Sequence, residues 1–284
     1  MRMTPELQKK VDFAIRLLRS IPTEDGPVEI SFSGGKDSEV ILELAKMAGI
    51  PYRAIYKNTS IDPPGTIAHC KSKGVEIIRP KKTFLQIVQE NGTPTRFSRF
   101  CCKYLKEYKI LDRAVQGVRR CESTKRAKMY KEPEVCRTYS KTEKVKVYLP
   151  ILEWTDDDVS HFISEHGIKC HPLYYDEQGD FHVERRLGCI GCPLACQKKR
   201  REQYMQYPKL LRQLIKSQQI FIDNHPNSKS AKFTNGIAYN GWFFELFCDS
   251  REQYETLISG GMLPETAIDT KNFLEDYFKI DLTI

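Results

Sequence analysis

Six consecutive residues, Ser33-Gly34-Gly35-Lys36-Asp37-Ser38, bring together the groups that hold a phosphate or a sulfate. Two glycines let the backbone pass close to an anion, and the amides that open a helix face outward at the positive end of its dipole. Ser33 and Ser38 add hydroxyl donors and Lys36 adds a movable cation. The spacing is not the Gly-x-x-x-x-Gly-Lys-Ser/Thr of a Walker A loop, so this is not an ordinary P-loop. The competing reading is a plain glycine turn whose Asp37 or Ser38 caps the following helix. Asp37 also has the chemistry to place Mg²⁺ on nucleotide phosphates, since that ion takes carboxylate and phosphate oxygens together. Farther on, Arg119 and Arg120 can each grip an oxyanion bidentately; the alternative is a surface ion pair with Glu122.

These groups need a scaffold that converges them, and the pattern of the chain supplies one. Val28 to Phe32 reads as a strand, Ser38 to Ala48 as an amphipathic helix and Tyr52 to Tyr56 as the next strand, which makes one βαβ unit. A leading helix over Pro5 to Arg19 is capped by Thr4. Helices are expected at Pro63 to Ser72 and Phe84 to Glu90, and strands at Val75 to Ile78, Ala114 to Val118 and from Val145. Thr155 caps a helix over Asp156 to Glu165. Alternating strands and helices imply an α/β, doubly wound, mainly parallel sheet with right-handed crossovers. Ligands of such sheets lie beyond the carboxyl ends of the strands, where the Ser33 loop, Asn58 to Asp62 and Arg119-Arg120 would all meet. Asp62 there serves either ribose or metal, or forms a turn before Pro63-Pro64. Downstream, Arg201 to Ile222 reads as one helix, 223 to 240 as a polar link, and 251 to 259 and 271 to 278 as short helices. The expected organisation is an N-terminal helix (1–25), a nucleotide-binding α/β domain carrying the cysteines (26–200) and a helical C-terminal extension (201–284).

Ser33 to Ser38 resembles the PP-loop of the adenine-nucleotide α-hydrolase superfamily. Further stretches narrow the resemblance: Gly117 to Ala127, Leu149 to Val159, His171-Pro172-Leu173-Tyr174 and Leu187-Gly188-Cys189-Ile190-Gly191-Cys192-Pro193. In order and spacing they are similar to the phosphoadenosine phosphosulfate reductase family. The cysteines resemble its iron-sulfur branch, which includes adenylylsulfate reductases and the sulfur-inserting enzymes of DNA phosphorothioation. The resemblance runs from about residue 26 to 196. It implies ATP or an adenylylsulfate on Ser33 to Ser38 and Arg119-Arg120, and a 4Fe-4S cluster on Cys101, Cys102, Cys189 and Cys192. The reductases end in a Glu-Cys-Gly-Leu-His type tail whose cysteine attacks sulfur; this chain ends Phe278 to Ile284, and its last cysteine is Cys248.

The chain holds ten cysteines and has no apolar signal core at its start, so reduced, metal-binding or reactive thiols and a cytoplasmic location are expected. Adjacent cysteines grip one tetrahedral ion poorly but can reach two irons of a cubane, which favours a cluster over zinc for Cys101-Cys102 with Cys189-x-x-Cys192. Two alternatives stay open: Cys189, Cys192 and Cys196 with Cys170, Cys136 or Cys102 as fourth ligand, and unliganded thiols. Cys70, Cys121 and Cys248 read as small buried residues. His171 reads as structural, and the six histidines show no hydrolase spacing.

A net charge of +8 suits an anionic ligand or nucleic acid, with Lys198-Lys199-Arg200-Arg201 as the strongest basic run. Nothing approaches a bilayer-spanning apolar segment. Three function classes follow. The first is a family enzyme of sulfur metabolism, either reducing an adenylylsulfate with an outside thiol or atypical cysteine, or adenylating an acceptor that a sulfur donor protein then attacks. The second is an ATP-dependent sulfurtransferase thiolating tRNA or DNA, and the third a noncatalytic nucleotide and redox sensor.

Overall fold

The parallel strands are short and apolar because both faces of their sheet are covered. β1 (Val28–Phe32) buries Val28, Ile30 and Phe32 almost completely, and β2 (Tyr52–Lys57) runs parallel to it with Val28 opposite Tyr52 and Phe32 opposite Tyr56. The computed structural model describes residues 3–96, 98–139, 144–241, 252–253, 256 and 267–283. The chain forms two compact units, Met1–Pro80 with Lys103–Gly188, and Lys81–Cys102 with Cys189–Ile284.

In the first unit α1 (Pro5–Arg19) is capped by Thr4 Oγ1, which accepts from Leu7 N at 3.2 Å, and it lays Leu7, Val11, Ala14 and Leu18 on the core beside α2 (Lys36–Ala48). α3 (Thr66–Ser72) and β3 (Glu76–Ile78) complete one side. In the second unit α4 (Phe84–Asn91) starts on a Thr83 to Gln86 capping box, and the paired cysteines stand at the end of its first segment, on the first turn of α5 (Phe100–Leu105). Back in the first unit come β4 (Arg113–Val115), α6 (Thr124–Met129), β5 (Glu134–Thr138), β6 (Lys144–Tyr148) and α7 (Asp156–Glu165). The strand order is β3-β2-β1-β4-β6-β5, parallel throughout except for β5, which pairs antiparallel with β6. From β1 the chain proceeds outward to β2 and β3, and later to β4 and β6 on the other side. Right-handed crossovers in opposite directions place helices on both faces and leave the switch point between β1 and β4.

The second unit continues with α8 (Gln197–Gln206), α9 (Pro208–Asn224), α10 (Lys229–Phe233) and α11 (Ala267–Phe278). Its two sequence segments are joined by buried polar contacts: Gln218 Oε1 accepts from Thr93 N at 2.6 Å and from Thr93 Oγ1 at 2.7 Å. None of the described helices is long and apolar enough to cross a membrane.

Several elements depart from the sequence reading. The expected helix from Arg201 to Ile222 is two helices, because Pro208 has no N–H to donate and pushes Tyr207 out of helical geometry, to φ −121° and ψ 59°. The expected polar link 223–240 contains the end of α9 and all of α10. β5, α5 and α6 were not anticipated; β5 alternates exposed and partly buried residues and buries none fully, so it lacks the apolar run that marks the parallel strands. The strand expected at Ala114 to Val118 ends at Val115. The helix expected at 251–259 falls mostly outside the described residues.

Candidate functional site

At Phe32 the chain leaves the sheet and turns through Ser33-Gly34-Gly35 into α2. Gly34 sits at φ +77°, and a Cβ there would meet Leu187 Cδ2 at 3.1 Å and Thr66 Cγ2 at 3.4 Å. The turn therefore requires glycine for both conformation and space. Gly35 is the N-cap of α2 and brings no side chain to it, so the capping role considered for Asp37 or Ser38 does not occur. Ser38 Oγ instead donates back to Gly35 O at 2.7 Å and accepts from Ser33 Oγ at 3.3 Å. The Lys36 amide donates to Tyr174 Oη at 3.2 Å, while Lys36 Nζ lies 5.9 Å from the centre of that ring. Burial pushes the Tyr174 phenol up to about 12, so at neutral pH it remains a neutral acceptor for the Lys36 and Leu187 amides.

Asp37 is held from two sides. Its Oδ1 accepts from Arg119 Nε at 2.7 Å, and its Oδ2 lies 3.3 Å from Lys36 Nζ. The Arg119 side chain is 1 % exposed and reaches Asp156 Oδ1 at 2.7 Å through its Nη2. Arg119 is thus neither on the surface nor bonded to Glu122 through its guanidinium; it spans the first turns of α2 and α7. Two residues earlier the chain passes so close to α2 that a Cβ on Gly117 would stand 2.9 Å from Asp37 O. Arg120 turns away from the loop. Its Nε donates to Tyr130 O at 2.8 Å and its Nη1 pairs with Glu153.

Beyond the carboxyl ends of β1 and β2 lies a cavity of about 250 Å³, walled by Ser33, Tyr56, Lys57, Thr59, Asp62, Gln116, Arg137 and Tyr139. Asp62 Oδ2 accepts from Tyr56 Oη at 2.5 Å and from Thr59 N at 3.0 Å, so it both shapes its turn and faces the cavity. Lys57 is 3.3 Å from Glu29 Oε1, and burial draws its ammonium below the usual lysine range. His171 is buried and its Nδ1 accepts from Leu173 N at 3.2 Å, the structural role expected of it.

In the second unit the structure brings four of the sequence-selected cysteines together. Cys101 and Cys102 are neighbours on α5; Cys189 and Cys192 close a turn in which Cys192 N donates to Cys189 O at 3.3 Å. The Cys101 thiol is pushed up by Cys102, burial, Cys189 and Cys192, so all four share one electrostatic neighbourhood. Gly191, at φ +67°, makes the turn possible, since a Cβ there would fall 2.1 Å from Tyr204 Oη. Arg200, on α8, is buried and lines a small void with Ile190, Gly191 and Pro193. Among the described residues no three His, Cys, Asp or Glu side chains converge tightly enough for a single ion. Cys70 is buried as expected. Cys121 is not: it is exposed, with Sγ 3.2 Å from Trp154 O. Cys248 lies outside the described residues.

Sequence reasoning missed Tyr174 as the partner of the loop and Arg137 as part of the cavity wall, since Arg137 lies on an unforeseen strand.

Residues 27–195 match the family model described as the phosphoadenosine phosphosulfate reductase domain. The chain is similar to an uncharacterised protein of Methanocaldococcus jannaschii, 31 % identical over 59 % of this chain and 42 % of that protein. It is also similar to subunit 2 of sulfate adenylyltransferase from Shewanella frigidimarina, 27 % identical over 61 % of this chain and 68 % of that subunit. A solved phosphoadenylyl-sulfate reductase from Candida auris is 14 % identical, covering 66 % of this chain and 97 % of its own, with a TM-score of 0.42. The chain spans less than half the length of the Methanocaldococcus relative it matches.

Two outcomes follow from the site's geometry. Replacing Arg119 by Met leaves the Asp156 and Asp37 carboxylates without their shared cation; urea unfolding should show a loss of about 3–5 kcal/mol, with Arg119→Lys intermediate. Burial holds the Cys70 and Cys170 thiols up at about 12. At pH 8 their thiolates are therefore scarce, becoming abundant only as the pH approaches that value, whereas Cys121, Cys136 and Cys196 are exposed. Iodoacetamide mapped by mass spectrometry on the native protein should label the exposed three first and spare Cys70 and Cys170.

Proposed function

We propose that this chain, which belongs to the phosphoadenosine phosphosulfate reductase family, binds an adenine nucleotide on its Ser33 to Ser38 loop and activates it for sulfur chemistry. One observation carries the reading. The helix start at Gly35 lies at the carboxyl end of β1 beside the sheet's switch point and next to a cavity of about 250 Å³, and its first amides meet neutral hydroxyls, Gly35 N donating to Ser33 Oγ at 3.3 Å and Lys36 N to Tyr174 Oη at 3.2 Å. Neutral acceptors leave the dipole of the helix start to an anion, and the switch point is where such sheets take nucleotides.

In this reading Ser33 and Ser38 hydroxyls and the Gly35 amide meet the phosphate or sulfate oxygens, while Lys36 moves from Asp37 to the ligand. Arg119 keeps Asp37, and with it the first turn of α2, in place. The adenosine occupies the cavity between Tyr56, Thr59 and Gln116. With an adenylylsulfate, an external thiol attacks sulfur, the sulfur–oxygen bond to AMP breaks, and AMP leaves with the electron pair. With ATP, an acceptor oxygen attacks the α-phosphorus, pyrophosphate leaves with its electron pair, and a sulfur nucleophile then displaces AMP. Lys36 and the loop amides stabilise the charge on the departing oxygens in either case. Asp37 Oδ1 stays on Arg119, and Oδ2, released as Lys36 moves to the ligand, would be the oxygen to hold Mg²⁺ on the phosphates.

Cys101, Cys102, Cys189 and Cys192 would hold a 4Fe-4S cluster. Their chemistry fits: Cys101 and Cys102 are neighbours on α5, poorly placed to grip one tetrahedral ion together but able to take two different irons, and the Cys189–Cys192 turn offers the other two thiolates. Such a cluster would supply an electron reservoir.

Anaerobically purified protein incubated with a dithiol and, separately, ATP, adenylylsulfate and its 3′-phosphorylated form is expected to release pyrophosphate from ATP, or AMP or 3′-phospho-AMP from an adenylylsulfate with sulfite displaced by the dithiol's second thiol. Pyrophosphate or sulfite identifies the route. Lys36→Ala should slow that release by roughly a hundredfold. Brown protein with about four irons per chain, lost in Cys102→Ser, is expected alongside. No turnover of any of the three, or turnover indifferent to Lys36, contradicts the reading.

A further inference from the structure

Behind the Ser33 to Ser38 loop lies a set of buried polar groups that the loop chemistry does not use. Tyr174 closes a short 3₁₀ turn, Pro172–Tyr174, and its Oη accepts from two amides at once, Lys36 N at 3.2 Å on the helix start and Leu187 N at 3.3 Å. Leu187 is the residue whose Cδ2 a Cβ on Gly34 would meet, and a Cβ on Gly35 would stand 3.3 Å from the Tyr174 oxygen itself. A small displacement of this ring therefore removes both hydrogen bonds to the loop and its flank. The ring is placed by its turn, and the turn by His171. His171 is buried; its Nδ1 accepts from Leu173 N at 3.2 Å, and its carbonyl accepts from Tyr174 N at 2.9 Å. A turn of three residues has few hydrogen bonds of its own, so a side-chain cap is a large share of what closes it. An amide can only donate, so Nδ1 is bare and the ring proton sits on Nε2, facing Thr66 Oγ1 at 3.4 Å, while that hydroxyl donates to Pro63 O at 2.7 Å. His69 packs edge-on against the His171 ring, their centroids 5.5 Å apart, and is itself 2.5 Å from Glu39 Oε1 on α2. The imidazole is thus enclosed on every side that the turn leaves open.

We propose that His171 is a positioning residue for the loop: by capping Leu173 it presents the Tyr174 hydroxyl to the Lys36 and Leu187 amides, and the anion-holding geometry of Ser33 to Ser38 depends on that hydroxyl. The effect on a ligand rests on the reading of the loop as an adenine-nucleotide site. His171 touches no ligand in this account and acts through another residue. Two paths lead from its ring to the glycine turn. The one through Tyr174 carries hydrogen bonds to the helix start, whereas the one through Thr66 ends in an ordinary van der Waals contact, Thr66 Cγ2 lying 3.4 Å from where a Cβ on Gly34 would be. The Tyr174 path therefore dominates. A neutral acceptor suits the task, because it fixes the direction of the Lys36 amide without adding a negative charge beside the site that awaits an anion.

Two measurements on the full chain test the proposal. The first is hydrogen exchange at single amides without ligand. In Tyr174→Phe, which keeps the ring and drops the acceptor, the Lys36 and Leu187 amides are expected to exchange about tenfold faster, as suits one lost hydrogen bond, with the amides of α1 unmoved. His171→Ala is expected to do the same to those two amides, and His171→Asn, whose Oδ1 can cap the Leu173 amide, to keep most of their protection. The second is isothermal titration with α,β-methylene ATP. Tyr174→Phe and His171→Ala are each expected to weaken binding roughly tenfold, and the double variant no more than either, because both remove the same contact. Losses that add in the double variant, Asn as damaging as Ala, or both amides still protected in His171→Ala overturn the inference and leave the loop reading standing. Tyr174→Phe leaves the packing intact, so it decides whether the hydroxyl matters even where His171→Ala does not fold. Failure of the unaltered protein to bind the analogue overturns the loop reading instead, and the exchange of the Lys36 and Leu187 amides still decides the role of His171.

Discussion

The arrangement of the first unit depends on one buried guanidinium. Arg119, 1 % exposed, joins the first turn of α2 through Asp37 and the first turn of α7 through Asp156. A charge so enclosed is tolerated only when its hydrogen bonds are made in full, which is why both carboxylates, the Trp154 carbonyl and Cys121 Sγ surround it. The consequence reaches the candidate site. With Asp37 tied to Arg119 and Gly117 leaving no room for a side chain, the helix start at Gly35 cannot drift from the end of β1. Its amides, met by the Ser33 and Tyr174 hydroxyls, are aimed by structure rather than by the ligand, the condition under which dipoles stabilise developing charge with little reorganisation.

Each compact unit carries its own chemistry. The first presents a glycine turn and a helix start held beside a cavity by a buried guanidinium. The second gathers four thiols from two segments far apart in sequence, one on the short helix α5 and one on a turn that Gly191 allows and Tyr204 backs. The same principle governs both: a reactive group is placed by a backbone position that tolerates no Cβ, and that position is closed from behind by a buried aromatic hydroxyl. Tyr174 accepts from the loop amide of Lys36; Tyr204 donates to Gly191 O.

Much of the scaffold was legible because parallel strands buried on both faces are plain apolar runs, and a glycine pair between such a run and an amphipathic helix has few other uses. The first βαβ unit and both threonine caps came from patterns of that local kind, whereas the choice of cysteines came from the resemblance to a known family. What escaped were features set by tertiary pairing. Arg119 reads on paper as a surface or ligand-facing cation; only the fold places Asp37 and Asp156 on either side of it. Arg120, its neighbour, faces the opposite way because Tyr130 and Glu153 hold it. β5 alternates exposed with partly buried residues, but its inward positions are Val135 and Arg137, so it shows no apolar alternation by which Arg137 could be assigned to the cavity wall. Pro208 was read as tolerable inside a helix, but it sits where a single helix would need its missing amide.

The most direct test of the central claim, that adenosine occupies the cavity beside the Ser33 loop, is photolabelling with 8-azido-ATP followed by peptide mapping. The structure predicts adducts confined to the Phe32–Asp62 and Gln116–Tyr139 stretches, abolished by excess AMP and not by inorganic sulfate. Adducts on α8 to α11 instead, or labelling that sulfate displaces as readily as AMP, would contradict it.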